Sequence, residues 1–502
     1  MNRGIHRLIF DPRRAMLVPV AESVRARRST AAGSGRLVGL CALLTLLLPA
    51  ALWPRLASAA RPLPSSATQA PQANLPQAAA QFNQLGRATQ AVDATNPQRL
   101  LVEQQDQRVI LNWSSFDIGR DHSVRFNQPT GGSALNRIGG SSPSVILGSL
   151  EANGELILYN ANGVLFGSGA TVSSGNFIAT TLNIADQQFE QGFRNITRHA
   201  PAFAAADGEL EGFVRVEAGA SIAAASGGDI MLFAPRLLNE GRLSAPGGQV
   251  ALAAGQKVYL AASLNPSERG LLVEVDPFEA AVTGGDPDYN RAENAARGST
   301  STLSNGQLVQ RVNEIVAERG SVSMVGLSVR QNGTVRATTA VKGQNGAIRL
   351  LAHGKTVSAS HSDGITGHTM ATASEFGELV VGPQSVTRID ADTSSATQLD
   401  AEPFYNSTVS LEGKQIHLQG RRADRRAQCR QHDARCRCCQ YPGSEAWRHA
   451  CLASETPLSL GCTRHVDQCQ LRTDSRIVID PGVLVDVVGC HDVDLSMQPA
   501  MY

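Results

Sequence analysis

The stretch GGDIMLFA, Gly227–Ala234, returns as GGQVALAA, Gly247–Ala254, displaced by 20 residues. Each copy is a Gly-Gly turn followed by an apolar run, the pattern of a strand entered from a tight bend. The period is that of one coil of a parallel β-solenoid, in which strand stacks on strand. A single coil points only a few aliphatic side chains inward, each worth about 1.5–3 kcal/mol when buried. Ordering its backbone costs about 1–2 kcal/mol per residue, so such a repeat holds only by stacking.

Outward from this pair the texture persists. Downstream lie GSVSMVGLSVRQNGTVRA (Gly320–Ala337), NGAIRLLA (Asn345–Ala352), STVSLEGKQIHLQG (Ser407–Gly420) and RIVIDPGVLVDVVG (Arg476–Gly489). Upstream, LVEQQDQRVILN (Leu101–Asn112), HSVRFNQP, PSVILGSL, GELILYN and GVLFGSGATV are short runs rich in Val, Ile, Leu and Phe, separated by Gly, Asn, Ser and Pro. The expected fold is all-β, a right-handed parallel β-helix with an N-terminal cap and extra-helical hairpins or loops. An open solenoid end invites edge pairing, and the segment after Leu100 is expected to close it.

The Pro-, Ala- and Gln-rich residues 60–99 read as a flexible lead-in, and 100–260 as the first β-helical domain with its cap. Residues 261–319 read as an excursion on the flank. There Val275–Arg297 is polar, and NGQLVQRVNEIVAERG, with Leu308, Val312 and Ile315, suits a short helix. Residues 320–420 supply further coils. From 421 to 475 the text turns abruptly to Arg and Cys, and 476–502 is a residual strand-like C-terminus. Eight of the nine Cys fall between Cys429 and Cys490. They could form disulfides or bind zinc, but CRCC has no orderly ligand spacing. An out-of-frame stretch, disordered from about Arg421 to Thr473, is the simpler expectation.

Charge is balanced, with 45 Lys and Arg against 44 Asp and Glu in 502 residues, so no global field argues for a nucleic-acid partner. The segment LVGLCALLTLLLPAALW, Leu37–Trp53, follows basic VRARR and precedes LASAA. It reads as a secretory signal cleaved after Ala59, with Ala57 and Ala59 as the small-x-small pair. The alternative, a membrane anchor, is disfavoured by Pro49 and Pro54 in a run short of the roughly 20 residues a spanning helix needs.

Catalytic signatures are absent: there is no His-Glu-x-x-His, Gly-x-Ser-x-Gly or Gly-x-Gly-x-x-Gly. The GKT at Gly354–Thr356 fails as a phosphate loop because Arg349 stands where Gly is required. His353, His361 and His368 could ligate a metal, and Asp286 with Asp288 could bind Ca²⁺, but each set offers too little on its own. Asp390 with Asp392, and Asp400 with Glu402, have the alternate spacing that puts two carboxylates on one strand face, a pattern common by chance. The chain is expected to be non-enzymatic, with no cofactor and no metal.

The residues become specific between Trp113 and Leu182. Trp113, Phe116, Ile118, Val124, Phe126, Gln128 and Pro129, then LNRIGG (Leu135–Gly140), PSVILGSL (Pro143–Leu150) and LYNANGVLFG resemble the secretion domain of the filamentous haemagglutinin family. SSGNFIATTLNI (Ser173–Ile184) and AERGSVSMVGLSVRQNGTVRATT (Ala317–Thr339) extend the likeness. The leader MNRGIHRLIFDPRRAMLVPVAESVRARRS resembles the extended signal region of large bacterial exoproteins, which makes 1–59 an extended signal peptide. The family's usual Asn-Pro-Asn-Gly is here Asn160-Ala161-Asn162-Gly163. Read without the family, it is an ordinary Asn-Gly hairpin turn. Read with it, Asn160, Asn162 and Gly163, with Asn136 and Arg137 of LNRIGG, form a secretion motif.

The resemblance implies two-partner secretion: export by the general secretion machinery, then recognition of the N-terminal domain by an Omp85-type outer-membrane transporter with POTRA domains. The product would be an adhesin or haemagglutinin, secreted or surface-associated, with an unidentified host or bacterial receptor. Alternatives are a carrier of a haemolysin or contact-dependent inhibition toxin, and a polysaccharide-active β-helix enzyme. Because such exoproteins generally continue for many more coils, a truncated gene product is a further expectation.

Overall fold

The Gly-Gly repeat is a register. In parallel strands Ile230–Ala234 and Gln249–Ala254, Ile230 pairs with Val250, Leu232 with Leu252 and Phe233 with Ala253. The computed structural model that shows this describes residues 63–420 apart from 196–199, 207–211, 263–269, 279–288, 296–299, 303–307, 311–312, 339–345, 363–366, 384 and 391–406. It also describes 6–11, 16–21, 468–473, 475–479 and 493–497.

The coils form a parallel β-helix with three faces, sheets of 12, 9 and 10 strands among the described residues. One turn shows the plan: Glu155–Tyr159 lies on the first face, Val164–Phe166 on the second and Thr171–Ser174 on the third. Asn176–Thr180 then returns to the first face, with Leu156 paired to Phe177. At the corner from third face to first, Gly132, Gly154, Gly175, Gly228, Gly248 and Gly320 stack coil on coil. A Cβ at Gly228 would sit 1.8 Å from the Gly175 carbonyl oxygen, and one at Gly248 1.9 Å from that of Gly228. Backbones this close admit no side chain, which is why the sequence repeats its glycines.

The central strands of the first face are apolar on both sides, and the reason is a second core. Ile230, Leu232, Val250 and Leu252 point into the solenoid, where one continuous cluster runs from Ala88 to Leu418. Their neighbours Met231, Phe233, Ala251 and Ala253 point outward beneath extra-helical elements that contribute Phe189, Phe193, Phe203, Val258 and Val275. Continuous apolar runs are what a sheet covered on both faces requires. The covering layer includes the helix Asp186–Gln191 and a sheet of Phe203–Ala204, Lys257–Ala262 and Leu271–Asp276. Inside the solenoid a polar ladder climbs through the coils. Asn239 Nδ2 donates to Asn294 Oδ1 at 2.9 Å, Asn294 Nδ2 to Gln331 Oε1 at 2.7 Å, and Gln331 Nε2 to Thr387 Oγ1 at 3.3 Å.

Several expectations are corrected. The lead-in, described from residue 63, is not free chain: Gln77–Leu85 pairs antiparallel with Arg108–Ser115, and Ala88–Asp93 with Asn96–Gln104. These strands are the cap, so it starts well before Leu100. Its outer surface is polar and its anchors are few, chiefly Phe82, set edge-on to Trp113 at 5.0 Å, and Ala88. The short helix in 261–319 is instead two strands, Leu308–Gln310 and Glu314–Ala317. Ile315 is a buried inward residue paired with Leu243 and Val335, so the sheet overrides the helical spacing. The excursion is itself interrupted where Arg291–Asn294 rejoins the second face. At the end of the Arg/Cys tract, Gln468–Thr473 pairs in parallel with Thr408–Glu412, whereas 421–467 lie outside the described residues.

The leader is a separate unit, Met1–Leu56, with His6–Asp11 antiparallel to Met16–Ala21. Ala57 and Ala59 lie outside the described residues. Among the described residues no helix is long and apolar enough to cross a membrane.

Candidate functional site

The Asn160–Gly163 segment is a corner between two faces, not a hairpin. Its flanking strands, Glu155–Tyr159 and Val164–Phe166, belong to different sheets. The Asn160 side chain is fully buried. Its Nδ2 donates to the Ser142 carbonyl and to Ser144 Oγ, both at 3.0 Å, in the preceding coil. Its Oδ1 accepts from the Asn162 backbone N–H at 3.0 Å, the Asx turn that Asn favours. Asn162 Nδ2 donates to the Gly140 carbonyl at 2.7 Å. The backbone closes the corner on both sides, with Gly163 N–H donating to Asn160 O and Asn160 N–H to Thr180 O of the following coil.

Gly163 is fixed by its conformation and its neighbour. It has φ 130°, and a Cβ there would stand 2.6 Å from Cε1 of Phe213. The corner is therefore clamped between LNRIGG and PSV below and the Phe213 ring above. Gly140, Ser142 and Ser144 are thus the acceptors that the two Asn side chains find in the preceding coil.

Asn136 and Arg137 sit one rung below, opposite Leu158 and Tyr159. They point to opposite sides of the first face. Asn136 is buried in the solenoid and accepts from Trp113 Nε1 at 2.9 Å. Arg137 points outward, donates to the Ile184 carbonyl at 2.6 Å and pairs with Asp186, fastening the covering helix Asp186–Gln191 to the sheet. Neither side chain joins the corner.

The other sequence candidates are dispersed. His353 is buried between two carboxylates, with Nδ1 2.9 Å from Glu274 and Nε2 3.3 Å from Glu412. Burial disfavours its charge, but Glu274 and Glu412 outweigh that and raise its pKa to about 9. His361 and His368 are opposite one another in the antiparallel pair Thr356–Ser362 and Gly367–Ala373, away from that site in register. Asp390 pairs with Arg336 at 2.9 Å and Arg388 at 3.1 Å. Asp286, Asp288, Asp392, Asp400 and Glu402 lie outside the described residues. Among the described residues no group of three or more His, Cys, Asp or Glu is arranged to hold a metal ion.

Sequence reasoning missed a set of charged residues on the second face. Arg215 donates to the carbonyls of Leu63 and Pro64 at 3.0 and 3.1 Å, and Glu217 accepts from the Ser66 N–H at 2.7 Å. Asp117 accepts from the N–H groups of Gln72 and Val145. Nothing in the spacing signals these contacts, because their partners are up to 152 residues away in the chain.

Comparison with known proteins places the coils in a family. The TPS secretion domain model matches residues 77–362, more than half of the chain, and the model for the extended signal peptide of type V secretion systems matches 1–51. A heme/hemopexin-binding protein of Haemophilus influenzae is 35% identical over 97 residues, 19% of this chain and 10% of that protein. Its counterpart from strain Rd is 38% identical over 87 residues. The chain thus matches about a tenth of the length of these relatives. Among solved structures, the HMW1 secretion domain from Haemophilus influenzae is similar with a TM-score of 0.48 and 18% identity, covering 82% of this chain and 90% of that one. These matches are to secretion domains and a binding protein, not to enzymes. Matched by the secretion-domain model over most of its described coils and by the signal extension at its start, the chain belongs to the TPS secretion domain family: it is a two-partner secretion exoprotein, exported through the periplasm to the cell exterior with a cognate outer-membrane transporter.

Proposed function

We propose that the Asn160–Gly163 corner is a secretion determinant that the transporter reads before the chain folds. The carrying observation is the complete burial of Asn160, with both ends of its amide engaged. In the folded domain the Asn160 amide has nothing left to offer a partner. In the extended chain the same amides are free, and POTRA domains of an Omp85-type transporter are the surfaces that would meet them in the periplasm. Once outside, the corner closes and the coils stack upon it, which biases the chain against sliding back.

The test is Asn160→Ala with Asn162→Ala, co-expressed with the cognate transporter. Export to the medium is expected to fall severalfold while the variant accumulates in the periplasm. Parental export of this double variant removes the motif from recognition. Unfolding the purified variant separates the second role: each buried hydrogen bond lost costs about 0.5–1.5 kcal/mol.

Beyond export, the passenger acts as a non-enzymatic adhesin or haemagglutinin, a surface ligand for a receptor on host or bacterial cells. The likeness to the heme/hemopexin-binding proteins covers too small a part of them to bring their ligand with it. Adhesion of cells to surfaces coated with the exported protein tests this reading. A haemolysin or contact-dependent toxin carrier would instead damage the cells it meets.

A further inference from the structure

Residues 63–76 form no part of the coils, yet they lie pinned along the outside of the second face. Leu63 packs on Val145, Leu165 and Phe213, which belong to three successive rungs of that face. The next contacts are ionic groups gripping the strap's backbone. Arg215, itself held by Glu240 at 2.8 Å, binds the carbonyls of Leu63 and Pro64. The buried Glu217 takes the Ser66 N–H and hydroxyl and also the Ser168 N–H. Further along, the buried Asp117 takes the N–H of Gln72 at 3.0 Å, and the Asn74 carbonyl accepts from Gly119. Gly167 leaves the room this needs, since a Cβ there would stand 3.0 Å from Cβ of Ser66.

The receptor for the strap is assembled from residues that are distant in the chain. Ser66 and Glu217 are 151 residues apart, and all the coils from Arg108 to Val216 lie between them. A solenoid grows by adding coils to an existing end. The groove that holds residues 63–66 therefore does not exist until the coil containing Phe213–Val216 is in place. We propose that residues 63–66 are a latch that stays open while the first coils form and closes only when Phe213, Arg215 and Glu217 arrive. Closing it straps three rungs together and marks the N-terminal part of the secretion domain as complete. In the cell this closure belongs to the far side of the outer membrane, and that placement alone rests on the export reading.

Pulsed hydrogen exchange during refolding of the full chain tests the order. The Ser66 amide is expected to gain protection no earlier than the amides of Phe213–Val216, and after those of Glu155–Tyr159. Protection of Ser66 before the Phe213–Val216 strand overturns the latch. At equilibrium, the double variant Arg215→Ala with Glu217→Gln is expected to exchange at Ser66 at least tenfold faster, with Ile230–Ala234 unchanged. Leu63→Ser, a change on the strap itself that leaves the coils intact, is expected to do the same. Unchanged Ser66 exchange in Leu63→Ser overturns the proposal even where the double variant fails to fold. No transporter enters these measurements, so they stand or fall apart from the Asn160 and Asn162 export test.

Discussion

At Gly163 two constraints coincide, a positive φ and an aromatic ring within reach of any Cβ. Gly163→Ala is expected to cost more than about 1 kcal/mol, read as a lower urea midpoint, while Ala161→Pro is the substitution that restores the family's usual residue. Asn136→Ala should cost about 1–3 kcal/mol, because it leaves Trp113 Nε1 buried without an acceptor. An Asn136→Ala protein as stable as the parent would mean that water replaces the amide. The two Asn and the Gly of the corner were legible in the sequence because their residue types are those of a tight bend. Their acceptors were not. Gly140 and Ser142 become partners only once the coil register brings them beneath Asn162 and Asn160, and register is a property of the stack.

Among the elements, the hairpin Lys257–Ala262 with Leu271–Asp276 depends on a titratable staple. His353 joins Glu274 of this hairpin to Glu412 of the first face. The folded pKa of His353, about 9, lies above its ordinary 6.5, so its contribution is whole below pH 6.5 and disappears as pH rises through 9. Burial pushes Glu412 up but His353 outweighs it, leaving its pKa below the ordinary 4.5. Its contribution is present above pH 4.5 and is lost as pH falls below. The hairpin should thus be held best between pH 4.5 and 6.5, with lower protection factors, exchange corrected for the intrinsic rate at each pH, at Val273 and Val275 toward pH 9. In His353→Gln that alkaline loss should vanish. Element types were read well where strands are uniformly apolar, as in IMLFA, and badly where they are not. The cap strand QAAAQFNQL exposes most of its residues, so it carries almost no burial signal. Leu308, Val312 and Ile315 have helical spacing, but Ile315 finds its partners in neighbouring coils.

Across the whole molecule stability is distributed along one axis, coil by coil, and the interior ladder is a place to cut it. Asn294 is buried, accepting from Asn239 and donating to Gln331. Replacing it with Leu strands two buried amides, each at about 1–3 kcal/mol. Nearest-neighbour stacking predicts a local result: protection should fall at Ser321–Gly326 and Ala347–Ala352 while Glu155–Tyr159 keeps its own. Uniform loss across all three strands would show that the solenoid melts as one unit. The 20-residue offset between Gly227 and Gly247 already contained this architecture, since the period of the sequence became the register of the sheet. The second core outside the first face was foreshadowed only by strands apolar on both sides. Which excursions cover them could not be read from the chain, because the covering elements, such as Lys257–Ala262 just after Gln249–Ala254, carry the same strand texture as the coils.

The burial of Asn160 has a kinetic consequence for a cell making many copies. If the transporter reads those amides only in extended chain, finished molecules in the medium are invisible to it. Product then exerts no inhibition however much accumulates, and each transporter is vacant for the next passenger as soon as the previous one folds. Purified native protein added in excess should leave the export rate untouched, whereas the same protein added in urea-unfolded form to transporter in vesicles should compete.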